Sequence, residues 1–256
     1  MSHLYYINLE KRTDRKIEIE KTFKEIQKII DINFTRINAI NGKDINKDYL
    51  LENNYISSEY IDENKPPDKK MNPSEIGCFL SHVKAWETFI NSEYIVGYFF
   101  EDDVIINNSY FHEYFLKIYE EISRLCFDII FLSRNSLGNI DFYFGDDITE
   151  FFYKPNMIMY GAQSYVLTKH GAMKLIKYIN TIDNEYKNKK IIHKLDMFDY
   201  MFHLYNLIFN EKLVYLSLKP LFMYKKEIVN LNDYQKMNNK EFIFYPKDLG
   251  DSDTSK

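Results

Sequence analysis

Gly97-Tyr98-Phe99-Phe100-Glu101-Asp102-Asp103-Val104-Ile105-Ile106 sets three consecutive carboxylates between two apolar runs. Three ionised groups cannot be buried unpaired, because each would lose several kcal/mol of solvation. The chain must therefore solvate, neutralise or use that charge. Tyr94 to Phe100 reads as a buried strand, so the acidic triplet falls at its carboxyl end. Upstream, Asn72-Pro73-Ser74-Glu75 supplies an N-cap residue, a proline at the first helical position and Glu at N3. Ile76, Phe79, Val83, Trp86 and Ile90 then form one apolar helical stripe, with Ser81 and His82 beside it. Downstream, Phe111, Phe115, Ile118, Ile122 and Leu125 mark another helix, and Phe127 to Leu132 another strand.

The same alternation holds at the N-terminus. Leu4 to Asn8 is a short apolar run, Ile19, Phe23, Ile26 and Ile30 recur at helical spacing, and Asn33 to Ile40 is a second strand closed by Asn41-Gly42. Strands alternating with helices predict an α/β fold built on a mainly parallel, doubly wound sheet, in which ligands bind beyond the carboxyl ends of the strands. Residues 43–71 are polar, carry Pro66-Pro67, and read as a surface loop or lid within one domain over residues 1–246. Farther on the order loosens into a smaller mixed C-terminal part. Ile148 to Tyr153 and Gln163 to Leu167 are expected as strands, Thr168 caps a helix through Tyr178, Leu195 to Phe209 reads as helical, and Val214 to Leu218 as a last strand. The tail 247–256 is polar and expected to be disordered.

Composition narrows the function classes. The 256 residues are 45% hydrophobic, ample for a core, and the formal net charge is -5. With acids in excess and no basic stripe, nucleic acid is excluded as the main partner. Cys78 and Cys126 stand far apart in apolar contexts, which suggests neither a disulfide framework nor a metal-thiolate site. No signal-peptide pattern opens the sequence, and no uncharged run approaches the ~20 residues that span a bilayer. The expected location is cytoplasmic.

Side chains alternate along an extended strand, so Glu101 and Asp103 would point to one side and Asp102 to the other. A hard divalent cation could bridge the first and third. Mn²⁺ or Mg²⁺ prefers such oxygen ligands and keeps positions open for phosphate oxygens. Asn8, Arg12 and Arg15 follow the first strand, where a nucleotide sits in a doubly wound sheet, and Arg suits bidentate phosphate contact.

The run Asn72-Pro73-Ser74-Glu75-Ile76-Gly77-Cys78-Phe79-Leu80-Ser81-His82, with Trp86 and the later EDDV, resembles glycosyltransferase family 25. That family includes lipooligosaccharide and collagen galactosyltransferases. Three further segments match in order: Ile7-Asn8-Leu9 with Arg12, Asp14 and Arg15; Ala39 with Gly42; and Tyr165-Val166-Leu167 with Gly171-Ala172. The resemblance covers roughly residues 4 to 225.

The resemblance implies a GT-A type fold, a UDP-sugar donor and a divalent metal on the acidic motif. By analogy Asp103 is the metal ligand, while Glu101 and Asp102 share the ribose and supporting roles, Glu101 also facing the metal. Asn8, Leu9, Arg12, Arg15, Ser81 and His82 are the further donor-binding candidates, with Gln163 and Tyr165 lining the donor sugar. Transfer in the family is thought to invert the anomeric centre, which requires a general base opposite the departing diphosphate. By the same resemblance the candidate segment for that base is His193-Lys194-Leu195-Asp196-Met197-Phe198-Asp199, where Asp196, preceded by Leu195, is favoured, Asp199 also fits, and the family's proline is missing. Pro220 is present, but Tyr224 and Asn232 stand where the family's late Gln and Ser are expected. The implied activity is metal-dependent transfer of a hexose, galactose favoured, to a glycan, a lipid-linked saccharide or a protein, and a lipid-linked acceptor would bring peripheral contact with a membrane. The altered motifs leave two alternatives: an inactive transferase-like domain that binds nucleotide sugar or glycan, and another metal-dependent phosphate-processing enzyme.

Overall fold

The computed structural model describes residues 1–52, 73–106, 108–132, 145–155, 162–186, 214–218 and 244–246. The first half carries the expected strands and helices with α2 and a short β4 added: β1 (Ser2–Asn8), α1 (Thr13–Gln27), β2 (Phe34–Asn38), α2 (Lys47–Glu52), α3 (Pro73–Ile90), β3 (Val96–Glu101), β4 (Val104–Ile106), α4 (Asn108–Ile122) and β5 (Ile129–Phe131). The second half carries β6 (Gly145–Asp147), β7 (Phe152–Pro155), β8 (Ser164–Thr168), α5 (Lys169–Tyr186), β9 (Tyr215–Leu218) and β10 (Phe244–Pro246). Thr168 caps α5, its Oγ1 accepting from the Gly171 amide at 3.0 Å.

The main sheet runs β2-β1-β3-β8-β5-β9-β7-β6, and β10 pairs separately with β4. Strand alternation divides the core in two. Tyr5, Ile7, Phe99, Tyr165 and Leu167 meet α3 and α5 on one face, while Leu4, Tyr6, Tyr98, Phe100 and Val166 meet α1 and α4 on the other. The α/β class holds, and β2, β1 and β3 are parallel as expected. Beyond β3 the sheet is mixed rather than mainly parallel, because β8 enters reversed between β3 and β5, and β7 pairs antiparallel with β9 and β6. A fully buried apolar strand reads alike in either direction, which is why the reversal leaves no mark on local sequence.

Two segments depart from their expected form. Ile148 to Glu150 belongs to the turn between β6 and β7, where the Ile148 and Thr149 amides both donate to Phe152 O, so the strand begins only at Phe152. The start of the expected 43–71 loop is helical, with a 3-10 turn at Gly42–Asp44 followed by α2, whose Leu50 is buried. The remainder of that loop, the expected helix at 195–209 and the tail 247–256 lie outside the described residues.

Glycines fix how the turn after β2 meets α3. A Cβ on Gly77 would stand 2.5 Å from Gly42 N and 2.6 Å from Ile40 O, and one on Gly42 would stand 1.5 Å from Pro73 O. All of these are backbone atoms and cannot yield. An alanine in a helix ordinarily gains up to about 1 kcal/mol over glycine. Here overpacking wins, and Gly77→Ala is expected to destabilise by about 2 kcal/mol, read as a lower melting temperature. An unchanged or raised melting temperature would contradict this close approach.

Candidate active site

The acidic triplet sits where the parallel strands end. Glu101 is the last residue of β3, paired in register with Ile7 of β1. Asp102 and Asp103 form the turn into β4, so the extended alternation expected from the sequence stops at Glu101. Both aspartates consequently meet one cation: Arg15 Nη1 donates to Asp102 Oδ1 at 3.1 Å and to Asp103 Oδ2 at 3.4 Å. Asn8 Nδ2 donates to Asp102 Oδ2 at 2.7 Å. Asp103 Oδ1 is buried with no hydrogen-bond partner.

The electrostatics follow from this crowding. Burial raises the Asp102 carboxyl above its ordinary value, against the opposing pull of Asn8 and Arg15. Burial and then the charge of Glu101 push Asp103 up to about 7, with Arg15 opposing. One guanidinium is thus shared by two of the three neighbouring carboxylates. An uncompensated, partly buried oxygen cluster with an orphaned Asp103 Oδ1 fits the donor set of a hard divalent cation.

Glu101 is held from the other side by a buried chain. Its Oε1 lies 3.3 Å from His82 Nε2, and His82 Nδ1 shares a 2.7 Å hydrogen bond with the Tyr165 hydroxyl. Trp86 Nε1 donates to the same hydroxyl at 2.8 Å. The Tyr165 ring is fixed by stacking on Phe99 at 5.1 Å, which stacks in turn on Tyr5 at 5.2 Å, across three neighbouring strands. Tyr165 is 2% exposed. It stands behind the cavity lining, and its hydroxyl orients His82.

A cavity at this sheet edge brings most of the expected residues together: Leu9, Arg12, Arg15, Ser81, His82 and Glu101 to Asp103 all line it. Within it the roles divide. Arg12 is already forked onto Asp14 through Nε and Nη2, both at 3.1 Å. Ser81 Oγ accepts from the Ile40 amide and donates to Gly77 O, tying the turn after β2 to α3. Asn8 is fully buried beneath the cavity, its Nδ2 also donating to Arg12 O and its Oδ1 accepting from Arg36 Nε. It holds Asp102 from below. Gln163 stands beside the triplet, its carbonyl accepting the Glu101 amide at 2.8 Å and its Oε1 buried without a partner. Asp196 and Asp199 lie outside the described residues, as do Pro220, Tyr224 and Asn232.

Sequence reasoning missed Lys11, Lys43 and Cys78, which also line the cavity, and Arg36, which supports Asn8. Lys43 directly follows the Asn41-Gly42 turn pair, a signal that could have found it. Cys78 is half-buried one helical turn before His82, beside the apolar stripe of α3.

The profile of glycosyltransferase family 25 (LPS biosynthesis protein) matches residues 1–198. The chain belongs to this family. A glycosyltransferase 25 family member of Drosophila pseudoobscura pseudoobscura is 26% identical over 179 residues, 69% of this chain and 27% of that protein. Procollagen galactosyltransferase 1-A of Xenopus laevis is 26% identical over 137 residues, 52% of this chain and 21% of that protein. The chain thus spans well under a third of the curated relatives it matches. A crystal structure of a glycosyltransferase involved in glycosylation of the major capsid of PBCV-1 aligns with a TM-score of 0.45 at 11% identity, over 87% of this chain and 82% of that one. No helix among the described residues is long and apolar enough to cross a membrane.

Proposed function

We propose that this chain is a metal-dependent glycosyltransferase of GT-A type, acting as one domain over residues 1–246. It moves a hexose, galactose favoured, from a UDP-sugar to a hydroxyl of a glycan, a glycolipid or a protein, with inversion at the anomeric carbon. The observation that carries this reading is the acidic turn at the β3 end, with buried, unpartnered Asp103 Oδ1 facing a cavity rimmed by cations. Family membership supports the reaction class. The galactosyltransferase name of the frog relative supports the choice of sugar.

Asp103 and Glu101 would hold Mn²⁺ or Mg²⁺, which when bound supplies Lewis-acid stabilisation to a departing diphosphate. Asp102, fixed by Asn8 and Arg15, is positioned to accept from a ribose hydroxyl. Arg15 keeps the carboxylates from repelling one another, and Lys11 and Lys43 add positive charge for the donor phosphates. Asp196 or Asp199 would take the acceptor proton, and holding that hydroxyl in line with the anomeric carbon would lower most of the remaining barrier. The proposed setting is cytoplasmic.

The test is transfer from a panel of radiolabelled UDP-hexoses with Mn²⁺ present. UDP-galactose is expected to be the preferred donor, with detectable hydrolysis to UDP even without acceptor. If no donor is hydrolysed or transferred, the enzymatic reading fails.

A further inference from the structure

Beneath the acidic turn, three side chains of different chemistry converge. Cys78 Sγ, His82 Nε2 and a Glu101 carboxylate oxygen all lie within 4.8 Å of one another. From this geometry we infer a second cation site in the chain, one that takes a borderline or soft divalent ion of the Zn²⁺ class through Cys78, His82 and Glu101. It shares Glu101 with the proposed donor-metal site but does not depend on that reading.

One edge already has the length such an ion needs, and the sulfur stands a few tenths of an ångström beyond it. With Zn–N and Zn–O near about 2.1 Å and Zn–S near about 2.3 Å, tetrahedral geometry sets nitrogen and oxygen about 3.4 Å apart and sulfur and oxygen about 3.6 Å apart. His82 Nε2 and Glu101 Oε1 stand 3.3 Å apart, and Cys78 Sγ stands 4.0 Å from the same oxygen. A charge-assisted hydrogen bond between imidazole and carboxylate would close to about 2.8 Å. The observed 3.3 Å is loose for that bond and close to the edge of a coordination tetrahedron.

The surroundings of His82 fit as well. A metal-ligating imidazole is normally fixed through its other ring nitrogen. Here Tyr165 holds Nδ1 at 2.7 Å. In the metal-free chain Nε2–H can donate to Glu101 while the Tyr165 hydroxyl donates to Nδ1; an ion at Nε2 takes the other tautomer, in which the Tyr165 oxygen accepts from Nδ1–H and Trp86 Nε1–H. Cys78 and His82 share one face of α3, four residues apart, as two ligands on one helix must be. All three residues line the cavity, so an ion has an entry path and three protein ligands leave a fourth position for water or a substrate oxygen. Thiolate and imidazole select against Mg²⁺ and for Zn²⁺ or Co²⁺, and binding would release the Cys78 proton to solvent.

Co²⁺ is the direct probe. The full chain, stripped with chelator, is titrated with Co²⁺ and followed by absorption. One equivalent is expected to produce an intense near-ultraviolet thiolate-to-cobalt charge-transfer band. The band should persist in Cys126→Ser and Asp103→Asn and vanish in Cys78→Ser. Because Cys78→Ser risks a folding defect, the wild-type chain provides a second readout. Saturating Zn²⁺ is expected to slow alkylation of Cys78 by at least about tenfold, by mass spectrometry, while exposed Cys126 reacts at an unchanged rate. Absence of the band, its survival in Cys78→Ser, or Cys78 alkylation indifferent to Zn²⁺ would each overturn the site. A cobalt band in a chain that transfers no sugar would sink the proposed function and leave this site standing.

Discussion

Asp103→Asn is expected to lower sugar transfer by about 10³-fold and, in the same protein stripped of metal, to raise the melting temperature above about pH 7. The two effects have one cause. Asp103 is crowded by burial and by the Glu101 charge, and its carboxyl is pushed from 3.8 up to about 7 in the fold. A carboxyl whose folded value lies above its unfolded one favours folding fully only below the unfolded value. That contribution is lost as pH rises from about 4 through about 7, where the folded chain must carry an ionised Asp103 whose Oδ1 has no partner. Asparagine removes that charge, so the metal-free variant should show a flatter dependence of melting temperature on pH across this window. The proposed cation would reverse the balance in the wild-type chain by stabilising the ionised form, and asparagine would be a poor substitute ligand. Melting curves across pH with chelator or Mn²⁺, together with initial transfer rates, check both halves. Retained Mn²⁺ stabilisation in Asp103→Asn would remove Asp103 from the metal site.

Asp128→Ala is expected to be the most damaging change away from the site, costing about 3 kcal/mol and lowering the melting temperature by about 10 °C. Asp128 is 4% exposed and stands just before β5. Its carboxylate accepts from His170 Nδ1, Lys174 Nζ and the Val214 amide, each at 2.9 Å. It thereby joins β5 to α5 and to the start of β9, while its own carbonyl receives the Thr168 amide. Burial alone would raise this carboxyl, but the Val214 amide with Lys174 and His170 outweighs it and holds the group below its ordinary value. The sign is opposite to that of Asp103. This contribution is present above about pH 4 and fades as pH falls through the depressed folded value, so the wild type should lose more stability on acidification than Asp128→Ala does. Lys174→Met, which removes one partner and spares the rest, should cost clearly less. Equal losses for the two variants would contradict the assignment of Asp128 as the hub.

The half of the fold that builds the cavity was legible because its elements carry strong, unmixed periodicity. The stripe Ile76, Phe79, Val83 and Trp86 has one reading, and so does the apolar run that ends at Glu101. Pairing order is another matter. Ser164 to Leu167 is buried throughout, so nothing in its pattern distinguishes a parallel from an antiparallel neighbour. Within the site, residue type exposed the charges but not their geometry. Adjacent aspartates favour a turn, and the turn redirects both side chains to Arg15, where strand alternation would have separated them. Asn8 and Tyr165 sit deeper than their residue types indicate, for a common reason. Each carries polar atoms suited to a ligand, and burial turns those atoms inward to Asp102 and Arg36 in one case and to His82 and Trp86 in the other. Cys78 stands in an apolar context far from the other cysteine, and a lone thiol there has no sequence mark that separates packing from ligation.

The chain has 22 tyrosines and 20 phenylalanines but a single tryptophan, and that tryptophan is Trp86. Its indole N–H ends on the hydroxyl that also holds His82, two contacts from Glu101. Emission excited at the red edge of the spectrum, beyond tyrosine absorption, therefore comes from one known position wired to the cavity floor. The molecule carries its own optical gauge of occupancy there, and cation or donor titrations can be followed on the unlabelled, unmodified chain.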